Sequence, residues 1–197
     1  MQRRRKLVVL CCLVVMLPLA LITHSYAPSG SWWHRLVVLA GVALILLCIL
    51  GRTWTSIYIA GSKRTMIVDI GPYSVVRNPL YVFSIIGASG VGLMTGSILF
   101  GLALALVALG VFHVVVRAEE IFLRNRFPED FGAYEARVRR WLPRFSGWRT
   151  EEWVRTRPEN IVTTFRDTSY FLLAVPAFQL IQYLQDAGLL PVLLHLP

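Results

Sequence analysis

GPYSVVRNPLYVF, residues 71–83, begins as a polar turn and ends inside an apolar helix. Asn78-Pro79 reads as the helix start, since proline suits a first turn and asparagine caps it. From Leu80 to Met94 no charge interrupts the run, and a second uncharged run covers Ile98 to Val116. Only Thr95, Gly96 and Ser97 separate the two. So short a connection predicts an antiparallel helical hairpin. Ser84, Ala88 and Gly92 on one helix, with Gly101 and Ala105 on the other, would let the backbones approach closely.

Outward from the hairpin the chain stays apolar. Of its 197 residues 56% are hydrophobic and 16% charged, with mean hydropathy +0.60. A soluble domain of this length could not bury that much apolar surface. Runs of about 20 residues without charge are what a bilayer requires. Leu7 to Ser25 is the first such run and follows the basic start MQRRRK. It fits a secretory signal or a retained helix; its length, and Pro28 after the small residue Ala27, favour the helix. Leu36 to Leu50 is the second, with Trp32 and Trp33 as interfacial anchors. A fifth, weaker run covers Tyr170 to Leu184 and contains Pro176, Gln179 and Gln182. The expected fold is thus an all-α integral membrane protein of about five transmembrane helices, a single domain over residues 1–197.

Of the twenty Lys and Arg residues, only Arg35 falls on the far side of this arrangement. Basic residues collect in cytoplasmic loops, so the amino terminus and both long polar segments are expected in the cytoplasm, at a bacterial inner membrane. The net charge of +9 then reflects topology and attraction to anionic membrane lipids rather than to nucleic acid. Cys11, Cys12 and Cys48 lie within spans, so neither disulfides nor a metal site is indicated.

Beyond the hairpin, HVVVRAEEIFLRNRFPEDFGAYEARVRRWLPRF covers residues 113–145. Arg117 to Arg126 should carry the helix out of the bilayer, and Pro128 should open a new one. Phe131, Tyr134, Val138 and Trp141 recur there at helical steps, with Arg137, Arg139 and Arg140 facing elsewhere. Such an amphipathic helix, ended by Pro143, could lie on the membrane or cap a site. Ser146 to Asn160 reads as a polar connection, in which Trp148 and Trp153 could touch the interface.

A hairpin brings its open ends together. Gly71, Pro72, Tyr73, Arg77, Asn78, Pro79 and Tyr81 at one end should therefore neighbour Glu119 and Glu120 at the other. Adjacent glutamates at a membrane boundary are costly unless they are paired or hold a ligand. Two readings stand: a salt-bridged helix end, with Glu120 pairing Arg117 and Arg124 one turn away, or a functional site. His113 could reach this region, but a packed histidine is the favoured reading. Trp54 and Tyr58 read as interfacial anchors.

GPYSVVRNPLY followed by AEEIFLRNRFPEDFGAYEARVRRWLPRF resembles the isoprenylcysteine carboxyl methyltransferase and phospholipid methyltransferase superfamily. That pattern runs G-x-Y, R-H/N-P-x-Y, a helical hairpin, then E-E with aromatic residues and a closing proline. The resemblance covers residues 71–145, leaving 146–197 as a polar connection plus a C-terminal transmembrane helix. GRTWTSIYIAGSKR, residues 51–64, is similar to the bacterial branch.

The resemblance implies S-adenosylmethionine as methyl donor and a lipophilic acceptor entering from the bilayer. It implies Tyr73, Arg77, Asn78, Pro79, Tyr81, Glu119 and Glu120 at the cofactor site, with Tyr134, Arg137 and Arg140 on the capping helix. Arg77 and Glu120 carry the leading roles, since arginine suits the donor's carboxylate and a carboxylate its ammonium and ribose hydroxyls. Positioning and exclusion of water would supply most of the rate. Two departures stand out: Asn78 where many members have histidine, and Phe83 where glycine often follows the tyrosine. A reductase-like relative binding NADPH, as in the membrane sterol reductases, and a non-catalytic membrane protein remain as alternatives.

Overall fold

The computed structural model describes residues 21, 23–26, 30–60 and 66–196. The first apolar run therefore lies outside the described residues up to residue 20. At its end the helix expected through Ser25 is replaced by a strand, β1 (Thr23–Ser25), which pairs in parallel with β2 (Leu194–Leu196). The β-branched Thr23 and the ladder to Leu194 hold this backbone extended.

Between them, in chain order, come α1 (Trp32–Ile59), α2 (Pro72–Val75), α3 (Pro79–Leu93), α4 (Ile98–Arg126), α5 (Pro128–Arg137), α6 (Pro158–Ser169) and α7 (Ala174–Asp186). Short 3₁₀ turns occupy Phe145–Gly147 and Tyr170–Leu173. Among the described residues α1 and α4 are long and apolar enough to cross a membrane, and α3, at 15 residues, is shorter. Leu39, Leu50, Leu102, Leu106 and Val114 on α1 and α4 are exposed, as suits helices bathed in lipid rather than a buried soluble core.

The chain divides into two compact units, Met1–Leu47 with Ile85–Val111 and Ser169–Pro197, and Cys48–Ser84 with Phe112–Thr168. In the first unit α3 and α4 meet at a turn. Gly96 adopts φ 77° there, and the Ser97 hydroxyl accepts from the Phe100 N–H at 3.1 Å, capping α4. A side chain at Gly92 would come within 2.7 Å of the Gly101 Cα, so the small-residue packing is real at that pair. Gly41 and Gly90 make an equally close approach between α1 and α3 that the sequence pattern had not suggested. Gln182, on α7, donates to the Met94 carbonyl at 3.1 Å, so a polar residue of the weakest apolar run is spent on tying down a helix end.

That last run differs from expectation. The helix begins at Pro158, inside the supposed polar connection, and passes through the 3₁₀ turn before α7. Pro176 explains the change of winding. It has no N–H for the Leu172 carbonyl four residues back, and its ring crowds that carbonyl.

The second unit holds the ends of the hairpin, and there α5 also departs from expectation. It opens at Pro128 as anticipated but stops at Arg137, with Val138 already extended, well before Pro143. The following segment is laid along the loop that carries α2. The Arg77 N–H donates to the Arg139 carbonyl at 2.8 Å, the Arg144 N–H to Val75 at 3.0 Å, and the Gly71 N–H to Arg149 at 2.7 Å. With Val138 extended, the Arg139 carbonyl leaves the helix direction and, four residues before Pro143, has no helical N–H to meet. Phe131, Tyr134 and Val138 nonetheless form the buried stripe read from the sequence, packed against Ile67 and Leu123; Trp141 falls beyond the helix.

Candidate functional site

Arg77, Asn78, Glu119 and Glu120 converge in the second unit. Asn78 precedes the first residue of α3, and its carbonyl accepts from the Tyr81 and Val82 N–H groups at 3.1 Å each. Its amide nitrogen turns toward Glu120 Oε1 and the Arg140 carbonyl, each at 3.4 Å. Pro79 is fully buried, and Tyr81 donates its hydroxyl to Glu119 Oε1 at 3.0 Å while its ring rests on Phe112.

Glu120, only 7% exposed at its side chain, is the centre of the cluster. Arg140 reaches Oε2 through Nε at 2.9 Å and through Nη2 at 2.6 Å, and Arg77 Nε lies 3.3 Å from Oε1. The pairs expected along α4 itself, with Arg117 and Arg124, are not those that form. Arg124 instead pairs with Glu135 of α5, whose other oxygen lies 2.9 Å from Arg77 Nη1. Charges thus alternate in the order Arg124, Glu135, Arg77, Glu120, Arg140. The hydrogen bond it donates to Glu120 holds the Arg140 guanidinium above its ordinary pKa, outweighing burial. Burial pushes the Glu135 carboxyl up, but the Arg124 and Arg77 guanidiniums prevail and hold it below the usual range.

Arg77 is the residue whose needs are least met. Its side chain is 8% exposed, and although both nitrogens lie within ion-pair reach of a carboxylate, neither Nε nor Nη1 has a well-aligned hydrogen bond among the described residues. Buried donors left this way are uncommon. The Tyr73 hydroxyl is likewise buried without a partner among the described residues, and burial drives its pKa well above the ordinary value. In chemistry these groups suit a carboxylate-bearing molecule with an ammonium: Arg77 offers a guanidinium, and Glu119 offers a carboxylate engaged only at Oε1 among the described residues.

Other residues of the sequence reading have different partners. Tyr134 gives its hydroxyl to the Tyr73 carbonyl at 2.8 Å, fastening α5 to the α2 loop. Arg137 pairs with Asp69 at 2.7 Å beside Arg149, in a cleft lined also by Ser74 and Gly147. His113 stacks on Trp141, and Trp148 stacks on Trp54. Arg52, on α1, donates to Thr168, Ser84 and the Leu80 carbonyl, so it ties α6 to α3 from inside the unit. Glu135 and Asp69 escaped the sequence reading. Glu135 follows Tyr134 in the apolar stripe of α5, and its acidic side chain so close to Arg137, Arg139 and Arg140 was the available signal.

The profile of the family described as phospholipid methyltransferase matches residues 36–130. The cobalt-zinc-cadmium resistance protein CzcN of Cupriavidus metallidurans is 33% identical over 162 residues, 82% of this chain and 74% of that protein. The chain belongs to the phospholipid methyltransferase family. The nickel-cobalt-cadmium resistance protein NccN of Alcaligenes xylosoxydans xylosoxydans is similar over a longer stretch, 32% identical across 179 residues, 91% of this chain and 84% of that protein. No solved structure matches. As a phospholipid methyltransferase relative with two strongly apolar helices, the chain is a membrane protein of a methyltransferase family. The matched residues include Arg77, Asn78, Glu119 and Glu120, whereas Glu135 and Arg140 lie beyond them.

Proposed function

We propose that this protein transfers a methyl group from S-adenosylmethionine to a lipophilic acceptor at the cytoplasmic face of a bacterial inner membrane, with its amino terminus in the cytoplasm. The acceptor is a prenylcysteine-type carboxylate, a lipid amine or a thiol. The observation that carries the reading is buried Arg77, whose Nε and Nη1 lie within ion-pair reach of Glu120 and Glu135 without a well-aligned hydrogen bond among the described residues, beside the Tyr81–Glu119 pair. Arg77 would hold the donor's carboxylate, and the open oxygen of Glu119 its ammonium or ribose hydroxyls. When bound, the sulfonium supplies an already activated methyl group. The chain's own task is to orient donor and acceptor and to exclude water. Glu120 acts less as a donor contact than as the group that fixes Arg77, because Arg140 and Asn78 already engage it.

Both curated relatives are named for metal resistance, and we place this activity in the same setting. Glu120 and Glu135 are taken up by guanidiniums, and among the described residues no group of His, Cys, Asp and Glu side chains could hold a metal ion, so the contribution would run through the methylated membrane molecule. An Arg77→Gln chain that restored metal tolerance as fully as the unaltered one would separate the two ideas.

The direct test is binding of S-adenosylmethionine to the purified protein in detergent. Arg77→Gln and Glu119→Gln should each weaken it by about 1–3 kcal/mol, as for lost charged hydrogen bonds. Selective binding of NADPH would point to a reductase-like relative. Binding of neither, by folded protein, would leave a non-catalytic membrane protein.

A further inference from the structure

Arg77 has a carboxylate on each side, and the two are not equivalent. Glu120 is 7% exposed, and Arg140 and Asn78 hold it independently of Arg77. Glu135 is 29% exposed, stands in the last turn of α5, and has its second oxygen on Arg124, itself 56% exposed. A ligand carboxylate arriving at Arg77 must take the place of one of them. Moving Glu120 would strand a buried charge, whereas Glu135 can turn toward water and remain on Arg124. We infer that Glu135 is a built-in stand-in for the ligand's carboxylate: it occupies Arg77 until the donor molecule arrives, then yields that position while staying anchored to Arg124.

This rests on the reading that Arg77 receives the carboxylate of S-adenosylmethionine. The exchange replaces one carboxylate by another, so the buried guanidinium is never left without a countercharge. The same guanidiniums that lower the Glu135 pKa keep it ionised, so it competes throughout the neutral range. Competition of this kind lowers apparent affinity in proportion to the time Arg77 is occupied.

The test compares two ligands on three proteins, by equilibrium binding in detergent with thermal unfolding as a check on folding. Glu135→Gln should bind S-adenosylmethionine about tenfold more tightly than the unaltered chain, if Glu135 occupies Arg77 about nine-tenths of the time. Decarboxylated S-adenosylmethionine lacks the competing group, and its affinity should not change in step. Arg124→Gln removes the outer anchor and should weaken binding of the carboxylated ligand, while the double variant Arg124→Gln/Glu135→Gln should bind like Glu135→Gln alone. Weaker or unchanged binding of S-adenosylmethionine by folded Glu135→Gln would show that Glu135 merely positions Arg77, and would overturn the inference. Equal gains for both ligands would overturn it too. If no protein in the series binds either ligand, the proposed function itself fails, which is a different outcome.

Discussion

Replacing Glu120 by glutamine in the protein without any ligand is the sharpest probe of the cluster. Its carboxylate is 7% exposed and faces two guanidiniums, one of them 8% and the other 31% exposed. Removing one member of a buried ion pair costs about 3–5 kcal/mol when the partner is left wholly uncompensated. Here Arg77 keeps Glu135 and Arg140 keeps access to water, so the expected loss of stability is about 2–3 kcal/mol. Arg140→Gln leaves Glu120 in reach of Arg77 and Asn78 and should cost less, about 1–2 kcal/mol. The two share one interaction, so the double variant should lose less than the sum, with a coupling of at least about 1 kcal/mol. Reversible unfolding in mixed micelles, followed by tryptophan fluorescence, measures all three. Strict additivity, or a Glu120→Gln protein as stable as the unaltered one, would refute the view that these charges hold the ends of α3 and α4 together.

Three further outcomes follow from contacts described above. Tyr134→Phe deletes the bond to the buried Tyr73 carbonyl and should cost about 1–3 kcal/mol, and rescue by a buffer component or a weak acid is not expected. Burial raises the pKa of both Tyr73 and Tyr134 above the ordinary 10.0, so native protein holds these protons more tightly than unfolded chain; the stability they confer is complete below pH 10 and is lost as pH rises beyond it, more gently in Tyr134→Phe. Gly92→Val would push carbon atoms against the Gly101 backbone at 2.7 Å and should destabilise by about 1–3 kcal/mol, whereas Gly110→Val, at an open position, should be near neutral; equal effects in thermal unfolding would rule out the close approach.

Much of this arrangement could be read from residue order. A hairpin with a three-residue link obliges Asn78 and Glu120 to meet, and they do. Proline at position 128 announced α5, and glycine at 92 and 101 announced the contact there. What stayed hidden is whatever depends on backbone pairing between distant segments. Arg77 and Arg139 are joined through main-chain groups that every residue has, so no periodicity marks the pair. α5 stops at Arg137, the extended segment after it brings Arg140 onto Glu120, and Glu135 stays beside Arg77, which is why local i, i+4 reasoning chose the wrong partners for Glu120. The sequence likewise marked Asn78 as a helix start but gave no sign that its amide nitrogen faces the carboxylate of Glu120.

The tethers from residues 139–149 back to residues 71–77 also set an order of manufacture. Glu119 and Glu120 emerge from the ribosome before Arg140 and Arg149 do. A chain ending at Arg126 would hold both arms of the hairpin and Arg77, but would lack Glu135, Arg140 and the main-chain clasp, whereas one extended past Arg149 holds every part of it.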